Sequence, residues 1–225
     1  EDYLLDENGK KANKKDFSLA EMKENMYDNI LKRCIDVRLF GWTNPIEKSS
    51  SQKSSITLTG PVQFRFGRSM HKVEIKHIKG TGAFASGEGK QQKTFREEYI
   101  LPYSLISFYG VINENAAEKT SMNNEDESLL IDGIWNGTKN LITRSKFGQM
   151  PRLLLKVTYN DKNYFIGDLD KKIKIEHELN DEKKLRNIEE IIINISDLTK
   201  ILEMNLSKIE SLNVKVDPSV RFKDG

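Results

Sequence analysis

The aliphatic residues of this chain occur in runs of no more than three, as at residues 153–155 and 191–193. A membrane-spanning helix needs about 20 consecutive apolar residues, so the sequence predicts a chain without one. Of the 225 residues, 37% are apolar and 31% are charged, which is enough to bury a core and unlike a disordered chain. The single cysteine, Cys34, excludes an internal disulfide and favours a cytoplasmic location.

Local patterns predict the first helix and the first strand. Ser18 and Glu21 have the spacing of a capping box, which predicts a helix over residues 19–33. Apolar and polar residues then alternate over 35–40, which predicts a strand. A stretch rich in Ser, Lys and Gln over 49–55 predicts a loop.

The rest of the chain mixes strand and helix signals. Further strands are predicted at residues 56–66, 73–78, 105–112, 153–159, 164–166, 173–176, 191–195 and 213–216. The turn at 160–163 makes 153–159 and 164–166 a predicted hairpin. Helices are predicted from Ser121 or Asn124 through Trp135, and over 197–204. This pattern indicates the α+β class, with one domain over residues 1–225 and a ferredoxin-like β-α-β-β-α-β core carrying long insertions.

Charge is distributed unevenly although the formal net charge is only +2. Residues 60–96 carry a net +6 and residues 136–156 a net +5, whereas residues 112–132 between them carry a net −5. This arrangement is typical of a protein with one polyanion-binding face. Ordinary mixed surface charge is the alternative.

Residues 138–152 are the most informative basic segment. They lack acids, follow a predicted helix, and mix cations, hydroxyls and amides with Phe147 and Met150. Cations neutralise phosphates, hydroxyls donate to phosphate oxygens, and an aromatic or Met side chain can stack on bases or part them. The segment therefore predicts a nucleic-acid contact, with a solvated loop as the alternative.

A second basic segment covers residues 60–72. In the predicted strand, Phe64 and Phe66 share one face, and Gln63, Arg65 and Gly67 share the other. We therefore expect one packed face and one polar, cationic face.

Few residues are candidates for catalysis. Three scattered histidines show no metal-ligand spacing, and Cys34 is expected to be a small buried hydrophobe. The glycine-rich residues 80–90 lack the G-x-x-x-x-G-K-[ST] pattern of a phosphate loop. His71 could act as a general acid or base, or donate to phosphate. Asp36 would share a strand face with Arg38, which suggests a structural ion pair.

Four segments carry a family resemblance. Residues 34–41, 58–72, 135–138 and 143–152 have the sequences CIDVRLFG, LTGPVQFRFGRSMHK, WNGT and TRSKFGQMPR. In this order they closely resemble the repeated backbone subunit of CRISPR Cascade complexes, a RAMP-family protein, and most of all its type I-B branch.

The resemblance implies a modified RRM-like palm and a thumb hairpin at about residues 138–151. It also implies an insertion at about 80–95 and a first core strand missing from this sequence. By position, the residues expected near RNA are Gln63, Arg65, Arg68, Ser69, His71, Lys72, Lys139, Thr143, Arg144, Ser145, Lys146 and Gln149.

The resemblance further implies a non-enzymatic subunit without metal or cofactor. Its expected partners are the CRISPR guide RNA, target DNA paired to that guide, copies of itself in a helical filament, and other Cascade subunits. RNA would be bound through its backbone and shape, whereas base pairing would select the target. The alternatives are a RAMP-family endoribonuclease, for which His71 and Asp36 are the candidates, and a monomeric RRM-type RNA-binding protein.

Overall fold

The computed structural model describes residues 4–6, 8–49, 51–81 and 95–223. The chain forms two compact units. Unit 1 consists of Glu1–Arg65, Gly110–Pro151 and Asp161–Asn163, and unit 2 consists of Phe66–Tyr109, Arg152–Asn160 and Tyr164–Gly225. Each unit is assembled from three separate stretches of chain. Both contain helices and strands, as the predicted α+β class requires, whereas the single domain over 1–225 stays a prediction.

The helices and strands are short. The α-helices are α1 (Leu19–Arg33), α2 (Ile35–Phe40), α3 (Glu114–Thr120), α4 (Asn124–Asn140) and α5 (Ser196–Glu203). The strands are β1 (Gly41–Ser49), β2 (Gln52–Thr59), β3 (Val62–Phe64), β4 (Arg68–Ser69), β5 (Lys76–Thr81), β6 (Phe95–Ile100), β7 (Ile106–Ser107), β8 (Gly110–Ile112), β9 (Leu153–Tyr159), β10 (Lys174–Glu176), β11 (Ile192–Asn194), β12 (Ile209–Val216) and β13 (Arg221–Phe222). Single-turn 3-10 helices lie at Lys14–Asp16, Leu169–Lys172, Glu182–Lys184, Ile188–Glu190 and Leu206–Lys208.

Most strands pair two by two. The antiparallel pairs are β1–β2, β3–β8, β4–β7, β5–β6, β9–β12 and β10–β11. Strand β13 adds to β11 in the parallel sense. The predicted strand at 105–112 is therefore divided between β7 in unit 2 and β8 in unit 1.

Helix α1 confirms the predicted capping box. Ser18 Oγ accepts from the Glu21 backbone N–H at 3.2 Å, and Glu21 Oε2 accepts from the Ser18 N–H at 2.7 Å. These two bonds satisfy donors that the first turn leaves unpaired. Met22 and Met26 then pack with Ile46 of β1 in a buried cluster, so the apolar stripe of α1 lies against the β1–β2 hairpin.

The strand predicted at 35–40 is wrong, since these residues form α2. Val37 packs beside α1, whereas Leu39 packs in a different cluster with Leu130 of α4. Apolar and polar residues alternate here, which suggested a strand, because α1 and α4 cover this short helix from different sides. The expected Asp36–Arg38 ion pair is also wrong, because Asp36 is exposed and Arg38 bonds to Asp126.

Two glycines meet at the base of the β1–β2 hairpin, which occupies most of the loop predicted at 49–55. Gly41 has φ +82°, in the left-handed region. A side chain at Gly41 would overlap the Leu58 carbonyl oxygen and the Gly60 nitrogen, and one at Gly60 would overlap the Phe40 backbone. Glycine is therefore required at both positions for the two backbones to approach each other.

Helix α4 has the predicted location but a different cap and a later end. Asn123 is the N-cap: its side chain accepts from the Asp126 N–H at 2.9 Å, and Asp126 Oδ2 accepts from the Asn123 N–H at 3.2 Å. The helix continues to Asn140. It therefore includes the first residues of the segment predicted to be a thumb.

In unit 2 the hairpin predicted between 153–159 and 164–166 is wrong. Strand β9 pairs with β12 instead. The Tyr164 ring packs edge-on against Tyr159, and its hydroxyl donates to Asn205 Oδ1 at 2.9 Å. Residues 164–166 therefore turn away to contact a later segment. The core of unit 2 is a separate cluster around Leu185, Ile191 and Ile193.

None of the helices that the structure describes is long and apolar enough to cross a membrane.

Candidate nucleic-acid interface

The acid-free segment over residues 138–150 is exposed along its whole length. Thr138 and Lys139 belong to the last turn of α4, where the Thr138 hydroxyl donates to the Ile134 carbonyl at 2.7 Å. A lysine in this turn is favoured by the negative end of the helix dipole. Residues 141–152 contain neither helix nor strand, so the hairpin predicted at about residues 138–151 is not formed. A turn forms where the Lys146 and Phe147 N–H groups donate to the Thr143 carbonyl.

Large apolar side chains are exposed along the same segment. Ile142 is 70% exposed, Phe147 is 77% exposed and Met150 is 42% exposed. They alternate with the exposed residues Lys139, Thr143, Arg144, Ser145, Lys146 and Gln149. Cations and uncovered apolar groups in one exposed segment match the chemistry of a phosphate chain that carries flat bases.

Unit 1 also holds two of the predicted palm residues. Gln63 lies in β3 and Arg65 follows it, and both are exposed. The Gln63 amide donates to the Gly60 carbonyl at 3.0 Å, which orients the side chain. The expected packed face is wrong, because Phe64 is 48% exposed and Phe66 is fully exposed.

The remaining palm candidates lie in unit 2. Arg68 and Lys72 are exposed, Ser69 is half-buried and His71 is only 7% exposed. The Ser69 hydroxyl accepts from the Ser104 hydroxyl at 2.9 Å and donates to the His71 carbonyl at 2.7 Å. Ser69 therefore holds the backbone of its own loop.

The expectation that His71 faces RNA is corrected by its surroundings. Its Nδ1 lies 2.8 Å from the Lys72 carbonyl, which can only accept, so Nδ1 carries the proton. Nε2 accepts from the Leu105 N–H at 3.2 Å, and the ring stacks on Tyr103. Both ring nitrogens are therefore used inside unit 2, and neither remains for a phosphate or for proton transfer.

Glu182 binds the loop that contains Ser69, His71 and Lys72, and it was not identified from the sequence. Its Oε2 accepts from the Lys72 backbone N–H at 2.8 Å, and that bond, with the nearby Lys72 charge, holds the pKa of Glu182 below its ordinary value. The two residues are 110 positions apart. No local pattern could have joined them.

Arg152 has a structural partner. Its guanidinium lies 2.9 Å from Asp217 Oδ2, and Asp217 is buried. Hydrogen bonds from Ser219, together with the charge of Arg152, lower the pKa of Asp217. Arg152 therefore contributes less to the basic character of residues 136–156 than its formal charge suggests.

Three further sequence features are the potential metal ligands, Cys34 and the insertion at about 80–95. Over the described ranges, no three His, Cys, Asp or Glu side chains converge as a metal site. Cys34 is half-buried against the cluster of Ile30, Leu31 and Val37. The insertion at about 80–95 begins and ends in the paired strands β5 and β6. Its residues 82–94 lie outside the described residues.

The candidate residues thus fall into two groups, one in each unit. Unit 1 holds Gln63, Arg65 and the residues from Lys139 to Gln149, and unit 2 holds Arg68, Ser69, His71 and Lys72.

Two comparisons of the sequence with known proteins identify one family. The family model for CRISPR-associated protein Cas7 matches residues 2–196. A Haloferax volcanii protein named CRISPR-associated protein Cas7 is 31% identical over 212 residues, which cover 87% of this chain and 61% of the relative. The chain thus spans about three fifths of that relative's length. A chain of a solved structure titled "CRISPR RNA-guided surveillance complex, pre-nicking" aligns with a TM-score of 0.46 and 10% identity, over 90% of this chain and 55% of that one.

Proposed function

This chain belongs to the Cas7 family of CRISPR-associated proteins, and we propose that it is an RNA-binding backbone subunit of a Cascade-type interference complex. The family membership confirms the resemblance found in the sequence motifs. The type I-B branch stays a prediction.

The observation that carries the proposal is the exposed segment over residues 138–150. It offers Lys139, Arg144 and Lys146 without one acid, beside Phe147 and Met150. A phosphate chain would be neutralised by the cations, while Phe147 and Met150 stack on bases or part them. We assign this segment as the thumb of a modified ferredoxin-like palm, an irregular thumb without strand pairing.

The palm residues have two different tasks in this proposal. Gln63, Arg65, Arg68 and Lys72 are exposed and contact the RNA backbone. Ser69 and His71 position the loop through their internal hydrogen bonds. The contacts would go to phosphates and sugars, so affinity should depend little on base sequence.

The partners proposed from the family are the guide RNA, a target strand paired with that guide, further copies of this chain and other Cascade subunits. Contacts between copies that do not close into a ring generate an open helix. Light scattering against RNA length tests this part. Particle mass that rises with RNA length supports the filament, and a mass of one protein per RNA at every length supports the monomeric alternative.

We also propose that the chain binds RNA without cutting it. His71 has both ring nitrogens engaged, and Asp36 is exposed on α2 far in sequence from the basic segments. Incubation with RNA, with and without a divalent metal, tests this. Discrete cleavage that disappears in His71→Ala would favour the endoribonuclease instead.

The central experiment is a salt titration of single-stranded RNA binding, followed by fluorescence anisotropy. The double variant Arg144→Glu/Lys146→Glu should bind more weakly for every RNA sequence. Its salt dependence should be shallower, by about 0.7 in the slope of log K against log salt for each phosphate that is no longer neutralised. The double variant Lys10→Glu/Lys15→Glu has the same change in net charge at exposed positions elsewhere and should bind like the parent. Equal weakening in both variants would contradict the assignment of the thumb.

A further inference from the structure

Two phenylalanines of unit 2 are exposed to an unusual degree. Phe66 is fully exposed, with a relative accessibility of 101%, and Phe108 is 64% exposed. A phenylalanine side chain can bury about 150 Å² or more. Leaving two of them uncovered forgoes a large stabilisation, and large exposed apolar side chains beside basic residues are candidate binding sites.

Gly67 directly follows Phe66, and its lack of a side chain allows the Phe108 ring to lie close to the backbone. A Cβ atom at Gly67 would come within 2.5 Å of the Phe108 ring and 2.9 Å of the Ile106 side chain. The Phe108 ring therefore lies against the Gly67 backbone, where any other residue would push it away. Strands β4 and β7, which pair through Arg68 and Ser107, hold the two sides together.

The charge of the sequence around Phe66 indicates the class of ligand. No acid occurs between Gly60 and Val73, whereas Arg65, Arg68 and Lys72 do. Glu182, an acid that the fold brings to this loop, accepts from the Lys72 backbone N–H. Exposed rings bordered by cations complement a single-stranded nucleic acid, whose bases present flat faces and whose phosphates are anionic.

We propose that Phe66 and Phe108 are base-stacking residues for single-stranded RNA. The inference rests on the proposed RNA-binding function and adds a contact to bases at a place where the palm residues above contact only the backbone. Because every base has a flat face, such stacking adds affinity without selecting a sequence. The Phe108 ring lies close to the Gly67 backbone, which confines it on that side, so it needs less ordering when a base arrives.

Single-site variants test the stacking interaction with a labelled single-stranded RNA. Phe66→Ala and Phe108→Ala should each weaken binding by about five-fold or more, the range measured for removal of one stacked base. The slope of affinity against salt should not change, because every phosphate keeps its cation. Phe66→Trp should retain affinity, and Phe66→Leu should bind as weakly as Phe66→Ala, since leucine is apolar but has no flat face.

The matched control is Phe165→Ala, because Phe165 is another phenylalanine of unit 2 that is 61% exposed. It should bind RNA like the parent. In a second arm, 2-aminopurine placed in the RNA should be quenched on binding to the parent and less quenched with Phe66→Ala. Circular dichroism and a melting curve check that each variant is folded, which the exposure of Phe66 favours.

Three outcomes are decisive. If Phe66→Ala and Phe108→Ala keep full affinity while Arg144→Glu/Lys146→Glu binds weakly, the stacking inference is overturned and the proposed function stands. If the parent does not bind RNA at all, the proposed function fails and takes this inference with it. If the alanine variants keep RNA affinity but no longer associate with a protein partner, or melt at lower temperature, the rings dock against protein, and the stacking inference is again overturned.

Discussion

The Arg38 guanidinium binds the Asp126 carboxylate through two hydrogen bonds, Nε to Oδ2 at 2.7 Å and a terminal nitrogen to Oδ1 at 2.6 Å, across 88 residues of sequence. A third bond runs from Arg38 to the Leu31 carbonyl at 2.7 Å. Asp126 also caps α4. One ion pair thus joins the end of α1, the middle of α2 and the start of α4.

Removing one member of this pair should strongly destabilise unit 1. The Asp126 side chain is only 3% exposed, so Arg38→Ala would leave a buried carboxylate without its counter-charge. We expect a decrease of about 3–5 kcal/mol in the free energy of unfolding, measured in urea. Lys32→Ala, at an exposed position of α1, should cost little. A decrease below about 1 kcal/mol in Arg38→Ala would contradict the inference that the buried Asp126 carboxylate depends on Arg38 for its counter-charge.

The same pair should make the protein sensitive to acid. The hydrogen bond from Arg38 holds the pKa of Asp126 below its ordinary 3.8. A carboxyl whose pKa is lower in the folded state stabilises the fold above its unfolded pKa, and this contribution disappears as pH falls through the folded pKa. The free energy of unfolding should therefore begin to fall at about pH 5 and continue to fall below pH 3.8, as the pH approaches the lowered pKa of Asp126. In Asp126→Asn the fall should be smaller, and an unchanged pH slope would contradict the assignment.

The Nδ1 atom of His71 should donate to the Lys72 carbonyl, and Nε2 should accept from the Leu105 N–H. Heteronuclear NMR of the ring nitrogens measures this tautomer directly. His71→Phe keeps a ring but removes the hydrogen bonds to the Lys72 carbonyl and the Leu105 N–H, at a cost of about 1 kcal/mol for each bond. His77→Phe at an exposed position is the control. Detection of the Nε2-protonated form would rule out the hydrogen bonds described for this loop.

The capping box of α1 should be worth a measurable amount of stability. Ser18→Ala removes the oxygen that accepts from the Glu21 N–H, and removal of such an N-cap costs about 1 kcal/mol. Ser55→Ala, an exposed serine of β2, should have almost no effect. Equal unfolding midpoints in urea for both variants would show that the box does not stabilise α1.

The sequence predicted elements whose signals are local. Helix α1 was predictable because Ser18 and Glu21 are three residues apart and its apolar stripe is regular, and β9 was predictable from its dense aliphatic run. The strand predicted at residues 35–40 was wrong because Val37 and Leu39 are buried by two different neighbours. The hairpin predicted for residues 164–166 was wrong because Tyr164 bonds to Asn205, which is 41 residues away in sequence.

The candidate site shows the same limit. The exposure of residues 138–150 followed from their composition, since cations and amides without acids rarely enter a core. The burial of His71 could not be predicted, because Leu105 and Tyr103 create its pocket from about 30 residues further along the chain. Phe64 and Phe66 were expected to pack because an alternating pattern says which residues share a face but not whether anything covers that face.

The interleaving of the two units has a consequence for synthesis on the ribosome. When the chain has emerged as far as residue 109, parts of both units are present, but α3 and α4 of unit 1 and the core of unit 2 around Ile191 have not been made. Leu39 and Val62 then lack the partner Leu130, with which they form a buried cluster in the folded protein. The nascent chain therefore exposes apolar side chains whose partners have not yet been synthesised. A chaperone that binds it during translation should raise the yield of folded protein more than one supplied after release.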